Sequence, residues 1–133
     1  MPPDNTRADA PERWLKNARA DLALARVDLP PGGMLEHLCF HAQQAAEKSI
    51  KAVLLALGID IPFTHNLQAL LDRLPSDLEA PNDLMNVVDL NPYAVVTRYP
   101  GEIEPITNTE YEEALRLAER VVSWAESTIR SLE

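Results

Sequence analysis

The stretch CFHAQQAAEKSIKAVL, residues 39–54, decides the fold of this chain. Its apolar residues recur every three to four positions, the period of a helix with one buried face. Extended outward, the pattern runs from residue 34 to residue 57. Leu35, Leu38, Cys39, Ala42, Ala46, Ile50, Val53 and Leu57 form one stripe, and Gly58 stands where a helix C-terminus favours glycine. Such a helix has roughly 24 residues and a length of about 36 Å. In a chain of 133 residues that makes it the central helix. Beside the stripe lies a mixed face of Phe40, Gln43, Glu47, Lys51 and Leu54, and beyond it a polar face of His37, His41, Gln44 and Lys48. Phe40 and Leu54 give the mixed face an apolar component that a lone small domain would leave in water, so it is a candidate partner surface. The small residues Ala42, Ala45, Ala46, Ser49 and Ala52 let a neighbouring helix approach closely. The alternative is that several neighbours surround a central helix.

The segments on either side are also helical. Pro11 suits the first position of a helix and Glu12 its first turn. Trp14, Leu15, Ala18, Leu22, Ala25 and Leu29 follow at helical spacing until Pro30, Pro31, Gly32 and Gly33 stop the run. After Pro62, Thr64 is a plausible N-cap for a short helix over 65–73, with Leu67, Leu70 and Leu71 facing inward. Leu84, Val87, Val88 and Leu90 suggest a further helix, kinked or restarted at Asn91-Pro92, where Asn91 reads as a cap and Pro92 as a first helical residue, and ending near Arg98. Thr109 and Glu112 have the spacing of a capping box. They open a last helix with Tyr111, Ala114, Leu115, Ala118, Val121, Val122, Ala125, Ile129 and Leu132 on one face. No segment alternates with period two over a length that makes a strand. The expected fold is all-α: an antiparallel up-and-down bundle of four main helices plus one short one. Residues 1–10 are read as a flexible tail and 11–133 as one domain.

Composition narrows the function. The net charge of −9 repels phosphate backbones, which disfavours binding to bare nucleic acid. One cysteine permits no intrachain disulfide, which suits a reducing, cytoplasmic setting. The N-terminal stretch lacks the apolar run of a signal peptide, and no segment has the roughly 20 apolar residues of a membrane span. His37 and His41 stand four apart, the spacing of a helical metal pair, but no third ligand accompanies them, so no metal site is expected. Cys39 lies on the core stripe without an accompanying base and reads as a small buried hydrophobe. Arg98, in RYPG, ends its helix where it can pair with Glu47 across two helices or contact an anion.

Taken together, CFHAQQAAEKSIKAVL, PFTHNLQALLDRL and LNPYAVVTRYPG, followed by a capped C-terminal helix, resemble the HEPN (higher eukaryotes and prokaryotes nucleotide-binding) domain family of stand-alone prokaryotic type, over residues 11–132. The resemblance implies a helical bundle like the C-terminal domain of kanamycin nucleotidyltransferase. It implies a homodimer and a partnership with a minimal nucleotidyltransferase protein, in a pair of toxin–antitoxin type. It also implies a nucleotide ligand with no other cofactor. Carried over by position, the characteristic polar residues are Gln43, Gln44, Glu47, Lys48, Lys51, His65, Arg98 and Tyr99. Many members are metal-independent ribonucleases marked by Arg, four to six residues, then His. Here Arg98 is followed by YPGEIEPITNTEY, and His37, His41 and His65 all precede it. The expectation is therefore a non-catalytic dimeric module that binds a nucleotide or a nucleotidyltransferase partner, with no catalytic residue. The alternative is a divergent ribonuclease using Arg98 with a histidine from elsewhere in the chain.

Overall fold

The computed structural model of the chain describes residues 4–95 and 105–133. Helix α1 spans Ala10–Ala25, α2 Leu35–Ala56, α3 Leu67–Leu71 and α4 Asn108–Ser131, and a 3₁₀ segment covers Leu84–Ala94 between α3 and α4. No strand occurs among the described residues. The chain is the expected all-α bundle, with α2 at its centre. That helix packs on α1, α3, α4 and the 3₁₀ segment. Ala42, Ala45, Ala46, Ser49 and Ala52 are all fully buried, because small side chains let these neighbours approach the α2 backbone.

Helices α1 and α4 run antiparallel. Arg19 pairs with Glu126 and Arg26 with Glu119, each at 3.2 Å, so the sequence rises along one helix as it falls along the other. These pairs are exposed and contribute little to stability. The Tyr111 hydroxyl donates to the Ala25 carbonyl, satisfying a group that the end of α1 leaves without a helical partner.

Helix α2 ends as its glycine dictates. Gly58 has φ +77°, Ile59 N donates to Leu54 O at 2.9 Å, and Gly58 N donates to Leu55 O at 3.0 Å. These two bonds form a Schellman motif. A Cβ on Gly58 would meet nothing within 4 Å, so a substitution there strains only the backbone. Gly58→Ala is expected to cost about 1–2 kcal/mol in urea unfolding. A variant as stable as the parent would contradict that reading.

The structure moves several boundaries. Helix α1 stops at Ala25, short of Leu29, which is exposed. The N-cap of α3 is Asn66, whose side chain accepts from Gln68 N, while Thr64 Oγ1 accepts from Asn66 N just before it. Helix α3 therefore starts at Leu67, and His65 lies in the loop before it. Asn91 does not cap a restarted helix. Its Oδ1 accepts from Leu67 N at 2.9 Å and its Nδ2 donates to Asn66 Oδ1 at 3.1 Å, so it closes the N-terminus of α3 from outside. The run around it is a single 3₁₀ segment with Pro92 inside, a position where proline cannot give an α-helical hydrogen bond.

The capping box of α4 is also displaced. Thr107 and Glu110 form it: Glu110 N donates to Thr107 Oγ1, and Thr107 N donates to Glu110 Oε1, both at 3.1 Å. Thr109 and Glu112 have the same spacing. The earlier start prevails because it puts Ile106 and Tyr111 against the core, at the two positions of a hydrophobic staple. Ile106 N also donates to the buried Glu36 carboxylate at 2.9 Å. Thr107→Ala should therefore cost about 1 kcal/mol and Thr109→Ala less than about 0.5 kcal/mol. Thermal melts of the two variants check this, and the reverse order would restore the later start.

Along α4 the buried face includes Leu117, Trp124 and Thr128, while Leu115 is only half-buried. Trp124 Nε1 donates to Glu79 O at 3.3 Å, which ties α4 to the loop before the 3₁₀ segment.

Candidate functional site

Helix α2 carries Gln43, Glu47 and Lys51 four residues apart, so they line one face. All three are buried, Gln43 fully and Glu47 with a side chain only 3% exposed. An ionised carboxylate at such depth requires donors around it. Lys51 Nζ donates to Glu47 Oε2 at 2.9 Å, and Gln43 Nε2 donates to Oε1 at 3.2 Å. Gln44 Nε2 in turn donates to Gln43 Oε1 at 2.7 Å, extending the chain of bonds toward the surface.

The last donor comes from the loop before α3. His65 Nδ1 lies 3.0 and 3.1 Å from the two oxygens of Glu47. A carboxylate accepts only, so Nδ1 carries the proton and Nε2 is the ring atom left for other contacts. The His65 side chain is 73% exposed although its partner is buried, so the cluster reaches solvent through this imidazole. Two residues earlier, Phe63 is fully exposed. Lys51 Nζ also sits 5.4 Å from the centroid of the Trp14 ring, a cation–π distance that joins α2 to α1.

A second cluster lies beside the first. Asp21 of α1 accepts from Lys48 Nζ at 2.6 Å through Oδ2, and its Oδ1 is 2.9 Å from His41 Nδ1. The i and i+7 positions of His41 and Lys48 place both over one α1 carboxylate. His41 is therefore engaged by Asp21, and His37 is exposed; no group of three or more metal-ligating side chains occurs among the described residues.

Of the residues proposed from sequence, the structure brings Gln43, Gln44, Glu47, Lys51 and His65 together and sends Lys48 to Asp21. Arg98 and Tyr99 lie outside the described residues. Trp14 and Asp21 were not proposed. Asp21 had a signal: it is an acid on the α1 stripe, between the buried Ala18 and Ala25, and it is itself buried. Cys39 is buried, as its place on the core stripe implies. The partner-surface argument needs correction at Leu54, which is fully buried within the chain against the other core residues. Of the two apolar residues on the mixed face only Phe40 approaches the surface, half-buried with its ring edge-on to His41.

The family model of the HEPN domain matches residues 11–128, nearly the whole bundle. This chain belongs to the HEPN domain family. Among solved structures, TT1696 from Thermus thermophilus is 35% identical with a TM-score of 0.77, over 90% of this chain and 98% of that one. ST0689, described as an archaeal HEPN homologue, is 31% identical with a TM-score of 0.71, over 90% of this chain and 97% of that one. No curated protein matches. In this chain the central helix presents Gln43, Glu47 and Lys51 to the loop that carries His65. No helix among the described residues is long and apolar enough to cross a membrane.

Proposed function

We propose that this HEPN protein is a non-catalytic binding module that works as a homodimer and holds a nucleotide or a minimal nucleotidyltransferase partner at the Phe63–His65 loop. One observation carries the reading: a fully exposed phenylalanine stands two residues from an imidazole fixed from below by a buried carboxylate. An aromatic ring in water costs free energy until something covers it, and a flat ring suits a nucleobase or an apolar partner side chain. The fixed imidazole offers Nε2 for a directional contact beside it.

The test is a pair of binding measurements on the purified protein. Thermal melting with ATP, GTP and short RNA should show a concentration-dependent rise for a nucleotide, or sedimentation should show a complex with a co-expressed minimal nucleotidyltransferase. Phe63→Ala should weaken whichever binding is seen by about tenfold while leaving the unliganded melt unchanged. A monomer that shifts with none of these and forms no complex would sink the proposal.

A second reading has one specific observation in its favour. A carboxylate that holds Nδ1 and leaves Nε2 outward is the arrangement that prepares a histidine for proton transfer. A divergent ribonuclease would use His65 in this way, with Arg98. An RNA cleavage assay separates the two readings: activity lost in both His65→Ala and Arg98→Ala would favour the ribonuclease, and no cleavage by the parent protein would remove it.

A further inference from the structure

A second site lies away from the Phe63–His65 loop. Residues Asp4 and Asn5, the first turns of α1 and Lys48 of α2 enclose an open groove of about 220 Å³. Trp14 and Ala10 form its apolar lining, and Arg13, Asn17 and Lys48 bring polar groups to it. The indole is held in place: its Nε1 donates to Asn5 Oδ1 at 2.8 Å, and the Lys51 ammonium stands over its ring. Trp14 cannot swing away without losing both contacts, so this wall is formed before any ligand arrives.

The charges at the groove are unequally committed. Asp4 is turned onto its own loop, its Oδ1 accepting from Thr6 N at 3.0 Å and from Thr6 Oγ1 at 2.6 Å. These bonds hold its carboxyl below the usual range, with Arg13 adding only a through-space effect. Lys48 has one of its three donors on Asp21. Arg13 differs from Arg7, Arg19, Arg26, Arg116 and Arg120, each of which pairs with a carboxylate. Among the described residues no carboxylate lies within ion-pair distance of Arg13. Arg73 and Arg130 also lack such a pair there, but neither lines this groove. An arginine without a carboxylate partner beside a fixed indole points to an anion from outside.

We infer that this groove binds a small organic anion, a flat ring bearing one phosphate or carboxylate. The ring would lie against Trp14 and the anionic group would meet Arg13, with Lys48, paired to Asp21, offering its remaining N–H donors from α2.

The indole N–H of Trp14 reports on the groove directly. In nitrogen-15 spectra of the full chain it is one of two such signals, and Trp124→Phe identifies it. The protein would be titrated with AMP, benzoate, adenosine and inorganic phosphate. A saturable shift of the Trp14 signal with AMP or with benzoate, at least threefold tighter than with adenosine or phosphate alone, is expected. A response to AMP alone assigns the anion as phosphate; a response to benzoate assigns it as carboxylate. Arg13→Ala, an exposed change, should weaken that binding about tenfold. No saturable shift with any probe, or one indifferent to Arg13→Ala, would overturn the inference. Phe63→Ala keeps the two sites apart: a Trp14 response that it abolishes belongs to the loop and counts against the groove.

Discussion

Replacing Glu47 by alanine is expected to cost about 3–5 kcal/mol, a large share of the stability of a domain this size. The reason is what remains. Lys51 keeps a side chain only 9% exposed and loses the carboxylate that neutralises it. Gln43, fully buried, loses an acceptor, and His65 loses the group that fixes Nδ1. A buried ion pair as a whole contributes far less than the cost of breaking it, because both charges were desolvated to form it. Two comparisons follow. Glu47→Gln should fall between parent and alanine, since an amide accepts but carries no charge. Glu47→Leu combined with Lys51→Met should recover most of the loss. Urea unfolding at neutral pH measures all three. If Glu47→Ala proves within about 0.5 kcal/mol of the parent, the cluster is not the buried network described here.

The second large effect separates packing from association. Leu54→Ala should cost about 2–5 kcal/mol, because the fully buried side chain leaves a cavity among the residues of the central core. Phe40→Ala, at a half-buried position on the same mixed face, should cost clearly less. If the chain pairs through that face, Phe40→Ala should instead weaken the dimer. Sedimentation at several concentrations would then show more monomer for Phe40→Ala and no such change for Leu54→Ala. A Leu54 variant that keeps its melting temperature and loses its dimer would put Leu54 at an interface instead.

Much of this was legible in the sequence, for identifiable reasons. Helices α1, α2 and α4 follow from apolar spacing, with Pro11 and Gly58 marking one end each of α1 and α2, because these signals act within a few residues of where they are read. The face bearing Gln43, Glu47 and Lys51 follows from helical geometry alone. What closes the cluster does not. His65 reaches Glu47 across a loop and Asp21 reaches Lys48 from another helix, so no local pattern encodes either pairing. The burial of Leu54 was missed because the face of a central helix is covered by several neighbours, none visible from its own periodicity. The two T-x-x-E sequences at the start of α4 are locally equivalent, and only the tertiary contacts of Ile106 select between them. Asn91 was read as serving its own helix, whereas its side chain serves α3.

That last contact ties two weak elements to one fate. A five-residue helix has too few internal bonds to persist alone, and 3₁₀ geometry is poorer than α over a run as long as Leu84–Ala94. Asn91 holds the amide of Leu67 and the side chain of Asn66, so melting the 3₁₀ segment strips the Leu67 amide of its partner and loosens the Asn66 cap at the same moment. The two should exchange their amide hydrogens as one sub-global unit, opening at lower free energy than α2. Since Asn66 follows His65 directly, each such opening also slackens the loop that presents the imidazole. The loop proposed to bind would thus be mounted on the part of the protein expected to open before α2.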